Sequence, residues 1–285
     1  MYVSMREMLR KADREGYAVM AINAFNLESA SGVIHAATEM RSPIIIDLLQ
    51  EHMKRYLDCD VLTRPIIRMA EKVPVPVAVN LDHGTDVAHL KRCLHEGFSS
   101  VMVDASARSL EENIAITKSV VDFAQGFDAS VEAEVGGMGL VGEGGGFTDA
   151  AMYTDSDVAI RFIQETGIDA LAVSYGSTHG DYPEGYVPTF HFDIVERIKQ
   201  ATGLPLVLHG GSGSGPENIR RSVACGINKV NVGTDYMVAQ RDFLAQALRS
   251  NPAFDYPELV HQAYLKASKI VEGYIELSGS KGKAW

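Results

Sequence analysis

A single-domain (β/α)8 (TIM) barrel spanning residues 1–285 is the fold class this sequence predicts. Three observations carry the prediction. Eight short apolar runs recur along the chain. Segments of helical period separate them. Polar residues collect where the later runs end. The runs are Ala18–Phe25, Pro43–Leu48, Val77–Leu81, Ser99–Asp104, Ala129–Val135, Asp169–Tyr175, Leu204–His209 and Ile227–Val232. Most are nearly continuous in apolar residues, as strands covered on both faces are. Between them, Glu28–Arg41 places Ala30, Val33, Ile34, Ala37 and Met40 on one helical face. Asp86–Gly97, Leu110–Phe123, Asp155–Thr166, Phe192–Thr202 and Pro216–Cys225 read as further helices, several closing at a glycine. Pro216 suits a first helical turn, and Ser214 is placed to cap it. Two longer helices, about Asp235–Arg249 and Pro257–Leu277, finish the chain. A doubly wound open sheet would call for a phosphate fingerprint after its first strand, and "AFNLESAS" is not one. The glycine-rich stretch Gly136–Gly146 is the one long loop, and a loop of that length is usually functional or mobile.

Composition narrows the function. Hydrophobic residues make up 46% and charged residues 22%, which excludes a disordered or collagen-like chain. A net charge of −11 without a basic run disfavours nucleic acid and anionic membranes as partners. No apolar run is long enough to span a bilayer, and Met1–Glu7 lacks a secretory core, so a cytoplasmic protein is expected. Cys59, Cys93 and Cys225 are odd in number and widely spaced, giving neither a disulfide framework nor a C-x-x-C zinc site. They read as reduced thiols.

A barrel places its chemistry at the C-terminal ends of its strands. Those ends are Leu81-Asp82-His83-Gly84, Asp104-Ala105-Ser106, Glu132-Ala133-Glu134, Ser177-Thr178-His179-Gly180, His209-Gly210-Gly211-Ser212 and Asn231-Val232-Gly233-Thr234. A lone histidine at a strand end is more often structural. Three on one rim, His83, His179 and His209, can form an open zinc site. Asp82 beside His83 is placed for proton transfer, or alternatively caps the next helix. Asp104 and Glu134 can orient the histidines or form a second metal position. Gly210, Gly211, Ser212, Val232, Gly233 and Thr234 can present backbone N–H groups to a phosphate near a helix start. The remaining histidines, His35, His52, His89, His95, His191 and His261, read as solvated or core residues.

With "NLDHG", "VEAEVG", His179-Gly180, "PLVLHGGSG", "INKVNVGTD", "SARSLEENIAITKSVVDFA" and "GSKGKA" in this order, the chain resembles the class II, zinc-dependent fructose- and tagatose-bisphosphate aldolases from about Asn23 onward. The resemblance implies Zn2+ on His83, His179 and His209, with Asp104 and Glu134 holding it in an alternative inward position. It implies Asp82 as the acid exchanging a proton with the aldehyde-derived hydroxyl, and Asn231 facing the ketose. Gly180, Gly210, Gly211, Ser212, Asn231, Val232, Gly233 and Thr234 match a region for phosphate and a monovalent cation, Na+ or K+. Glu143 is the candidate mobile-loop base. The implied reaction is reversible cleavage of a ketose 1-phosphate or 1,6-bisphosphate to dihydroxyacetone phosphate and an aldehyde through a metal-stabilised enediolate. The implied assembly is a homodimer or homotetramer.

Two departures bear on substrate. Family members acting on bisphosphates often carry Q-x-S after the second strand, whereas "PIIIDLLQE" puts Asp47 and Leu49 there. "SYGSTHG" replaces the commoner "AIGTAHG". They point to one bound phosphate, on the ketone half, with a non-phosphorylated aldehyde half as the alternative to a bisphosphate. A zinc hydrolase and a non-catalytic aldolase-like subunit are the competing readings. A Schiff-base mechanism would need an inward lysine, for which only Lys229 is placed, and it reads instead as structural.

Overall fold

Eight parallel strands, β1 (Val19–Ala24), β2 (Ile44–Leu49), β3 (Val77–Gly84), β4 (Ser100–Val103), β5 (Ser130–Val135), β6 (Ala170–Val173), β7 (Leu206–Leu208) and β8 (Ile227–Val232), close into a barrel in chain order. β8 pairs back onto β1, with Asn231 opposite Ala21. The structure, a computed structural model, describes residues 1–136, 153–180, 182–183 and 185–285. Each predicted run coincides with an observed strand, although β2 runs on to Leu49 and β3 to Gly84, past the predicted ends at Leu48 and Leu81. The expected helices appear as α2 (Leu27–Glu39), α5 (Val87–Glu96), α6 (Leu110–Ala124), α7 (Ser156–Thr166), α8 (Phe192–Thr202), α9 (Pro216–Cys225), α10 (Thr234–Ser250) and α11 (Tyr256–Leu277).

Three helices are additions: α1 (Met5–Glu15), α3 (Gln50–Arg55) and α4 (Cys59–Glu71). The last contains Pro65, which reads as a breaker in sequence. Its apolar face of Leu62, Ile66 and Ala70 holds it to the barrel regardless. One expected cap is corrected. Gly215 is the residue before α9, and the Ser214 hydroxyl donates instead to Gly210 O at 2.8 Å.

Strand alternation sorts the side chains into layers. Met20, Ile22, Ile44, Ile46, Val79, Leu81, Val101, Val131, Ala133, Leu171 and Val173 point outward and join the helices in the main core. Val19, Ala21, Ile45, Ala78, Met102, Ala170, Ala172 and Val207 point inward and fill the lower barrel. Met5, Met8, Leu9 and Ala12 of α1 pack on that layer and seal the N-terminal end. Above it, the same inward alternation becomes polar at Asp47, Asn80, Glu132 and Lys229, which like Ser100 at the start of β4 are fully buried. Asn80 Nδ2 donates to Asp47 at 2.9 Å, Ser100 Oγ donates to Asn80 at 2.8 Å, and Lys229 Nζ donates to Glu132 at 2.7 Å. The top inward layer, one step further along the strands, holds the candidate site.

Candidate active site

At the C-terminal mouth a cavity of about 570 Å³ opens, lined by Asn23, Leu49, Asp82, His83, Asp104, Glu134, His179, His209 and Asn231 among others. Asn23, Leu49, Asp82, Asp104, Glu134, His209 and Asn231 each follow an inward residue of their strand by two positions. Period-two alternation therefore explains why they converge.

His83 breaks the alternation, because it directly follows the inward Asp82. The break has a visible cause. The β3–β4 register shifts between Leu81 and Gly84, and His83 adopts φ +47°, a left-handed conformation rare for a residue with a side chain. Gly84 completes the bulge, since a Cβ there would lie 2.6 Å from Met102 O. The local strain turns the imidazole into the same mouth as Asp82. Asp82 does not cap the next helix; Asp86 does, accepting from Ala88 and His89 N–H.

The three imidazoles meet there. The ring centroids of His83 and His209 lie 4.8 Å apart, those of His83 and His179 5.0 Å, and those of His179 and His209 6.0 Å. One nitrogen from each falls within 4.8 Å of the others, and His83, Asp104 and Glu134 form a second such group. The outer nitrogens are held by carboxylates. His83 Nδ1 bonds Asp104 Oδ2 at 2.8 Å, and His209 Nε2 bonds Glu132 Oε1 at 2.9 Å. An ionised carboxylate only accepts, so each of those nitrogens carries the proton. The other two nitrogens, His83 Nε2 and His209 Nδ1, then face each other at 3.0 Å with their lone pairs. Two lone pairs at that distance need a cation between them, a proton or a metal. The set fits a metal ion: three neutral imidazole donors, two of them fixed from behind by acids.

Electrostatics agree. Burial would lift Glu132, but Lys229 and His209 bring it below the usual carboxylate range. Burial likewise opposes charge on His83, yet Asp82, Asp104 and Glu134 raise it to about 10, a measure of how strongly the mouth attracts a cation. His179 falls to about 3, through burial and the neighbouring His83 and His209. Burial would raise Asp82, but His83, His209, Lys229 and the Asn23 hydrogen bond hold it at about 2, so it is an anion at neutral pH. Its oxygens accept from Asn23 Nδ2 at 2.7 Å and Asn231 Nδ2 at 3.3 Å. Burial pushes Glu134 up to about 8, and its Oε2 has no hydrogen-bond partner among the described residues. Asn231 Oδ1 is likewise unpartnered, a free acceptor in the cavity wall.

Of the remaining candidates, Gly180, Gly210, Ser212, Gly233 and Thr234 line the cavity. Gly210 must lack a side chain, because at φ +66° a Cβ would sit 2.4 Å from Thr178 O. Gly211 and Val232 do not line it. The Gly211 N–H donates to Asn231 O at 2.9 Å, and Val232 points into the outer core. Glu143 lies outside the described residues. Asp47 does not line the cavity; it is fully buried, 3.7 Å from Lys229.

Sequence reasoning assigned no role to Glu132 or Asn23, which support His209 and Asp82. Stepping back two residues from Glu134, or forward two from Ala21, would have found both. It also passed over Glu51 and Met237 and read His52 as solvated or core, whereas all three line the outer cavity from α3 and α10. Lys229 is no free amine. Burial would depress it, but Asp47, Glu132 and Asp82 raise it, so it remains a cation.

Known proteins share this architecture. The family model for class II fructose-bisphosphate aldolase matches residues 3–283. Fructose-bisphosphate aldolase of Geobacillus stearothermophilus is 36% identical, covering 99% of this chain and 98% of that protein. 6-Phospho-5-dehydro-2-deoxy-D-gluconate aldolase of Bacillus licheniformis is 37% identical, covering 99% and 97%. The crystal structure of the YdjI aldolase from Escherichia coli K12 superposes with a TM-score of 0.88 at 33% identity, covering 100% of both chains. Model, sequence and structure agree over essentially the full length, and the chain belongs to the class II fructose-bisphosphate aldolase family.

Proposed function

We propose that this protein is a zinc-dependent aldolase that cleaves a ketose carrying a single phosphate, on its ketone half, to dihydroxyacetone phosphate and an aldehyde. The observation that supports this most is the pair of imidazole lone pairs facing each other at 3.0 Å, backed by Asp104 and Glu132 and flanked by the anionic Asp82. His83, His179 and His209 would hold the ion, with Asp104 and Glu134 offering the inward alternative position. Zinc bound there would supply Lewis acidity to the ketone half of the substrate.

The chain's own residues then divide the work. Asp82 takes the proton from the C4 hydroxyl as the C3–C4 bond breaks, and returns it in the direction of synthesis. Asn23 and Asn231 orient that carboxylate through their amide N–H groups. The bonding pair stays on C3, conjugated with the C2 carbonyl. Glu143 is the residue we assign to protonate C3. The ketone-half phosphate sits against Gly210, Ser212, Gly233 and Thr234, where the start of α10 presents backbone N–H groups and a positive helix end. A monovalent cation, Na+ or K+, near Gly180 and Gly210 would offset phosphate charge in this acidic chain.

The single phosphate follows from the outer cavity. Leu49, Glu51, His52 and Met237 line it, and no lysine or arginine is among the described lining residues. Residues 137–152, 181 and 184 contain neither type. A second phosphate would meet Glu51 with no cationic side chain beside it. That the curated relatives include both bisphosphate and monophosphate aldolases by name leaves this residue-level difference to decide.

The test is kcat/KM for retro-aldol cleavage across matched ketose 1-phosphates and 1,6-bisphosphates. An unpaired phosphate in the outer cavity is expected to cost at least about tenfold, with the 1-phosphates ahead. Equal or better turnover of fructose 1,6-bisphosphate would reject the single-phosphate reading.

A further inference from the structure

A second cluster of metal-binding side chains lies outside the barrel mouth, between α4 and α5, which pack side by side on the outer face. Cys59 is the first residue of α4. His89 and Cys93 are four apart on α5 and so share a face. Donor atoms of the three lie within 4.8 Å of one another. Both cysteines are fully buried and His89 is 5% exposed. His89 Nε2 has no hydrogen-bond partner among the described residues, an expensive state for a buried ring nitrogen. The thiols are free and interact with each other, with Asp58 also beside Cys59.

The frame around the cluster is already rigid. Asp58 caps α4 through Cys59 N–H at 2.7 Å and accepts from Arg92 of α5 at 2.8 Å. Lys54 reaches across to Asp86 at 2.8 Å. The Asp58–Arg92 pair thus ties the start of α4 to α5, and the Lys54–Asp86 pair ties α3 to the start of α5.

We propose that Cys59, His89 and Cys93 form a second, structural site for a zinc-class divalent cation that staples α4 to α5. The choice of ion follows from charge. Two thiolates and a neutral imidazole exactly balance a 2+ ion, whereas a monovalent soft ion would leave a net negative charge in a buried setting. The thiol protons leave to solvent as the ion binds. Asp58, itself paired with Arg92, acts electrostatically on all three donors. No spacing rule in the sequence finds this site, because one ligand comes from a different helix than the other two.

Cobalt(II) distinguishes this site from the histidine site in the barrel, since only thiolate ligands give a sulfur-to-cobalt charge-transfer band in the near ultraviolet. Full-length protein, stripped of metal and kept reduced, is titrated with cobalt. About two ions per chain and a charge-transfer band are expected. Cys93→Ser should lose the band and one ion while keeping aldol turnover. Cys225→Ser should lose neither. His209→Ala should lose the other ion and keep the band, so failure of the barrel site and failure of this one are separable. If Cys93→Ser does not fold, His89→Gln keeps both thiols and should shift the band and weaken cobalt binding. Absence of the band in the reduced wild type, or a band unchanged in Cys93→Ser or in His89→Gln, would overturn the proposal. So would a Cys59–Cys93 disulfide, found by mass spectrometry, in place of bound metal.

Discussion

His209→Ala is expected to lower kcat by about a thousandfold or more and to abolish tight metal binding at the barrel mouth. Lewis-acid stabilisation of the developing charge is worth several kcal/mol, and each 1.4 kcal/mol is about tenfold in rate. His209 is central because it faces His83 Nε2 with one nitrogen and Glu132 with the other. Removing it unlinks the metal ligands from the Glu132–Lys229 pair beneath. Zinc content by mass spectrometry and kcat under saturating substrate check the result together. A variant that loses the ion but keeps wild-type kcat would contradict the assignment.

Asp82→Asn is expected to act on the chemistry alone. The amide keeps the shape and can still pair with Asn23 and Asn231, but it cannot take a proton. General acid–base contributions of this kind run to about 100- to 10,000-fold, so kcat should fall within that range while zinc content and KM stay near wild type. The low pKa of Asp82, about 2, makes it an anion throughout the working range. In the proposed cleavage it would therefore act as the base. A fall in KM-dependent binding with kcat intact would instead mark Asp82 as a substrate-orienting group.

Much of this site was legible in the sequence because strand ends carry it. Eight apolar runs placed the barrel, and the polar residues after each run named His83, His179, His209, Asp82, Asp104, Glu134 and Asn231 as candidates. The less legible parts have specific physical reasons. Glu132 and Lys229 lie one inward step below the rim, where a charge reads as a disruption until its partner on another strand is known. α1 and α4 were passed over because their stability comes from docking: Met5, Met8 and Leu9 plug the barrel, and Leu62 and Ile66 hold α4 despite Pro65. His83 pointing the same way as Asp82 required a bulge that no periodicity announces. Asp47 stands in sequence where bisphosphate-acting relatives often carry Gln, yet alternation alone puts it in the layer beneath the cavity, against Lys229.

We propose that a metal held by His83, His179 and His209, and not an imine on Lys229, drives the cleavage. Retro-aldol turnover on a ketose 1-phosphate, followed through dihydroxyacetone phosphate formation, is measured before EDTA treatment, after it, and after zinc is returned. Activity is expected to disappear with EDTA, to return with zinc, and to be indifferent to borohydride added with substrate. Activity that survives EDTA and is destroyed by borohydride, with the substrate carbon found on Lys229, would contradict it.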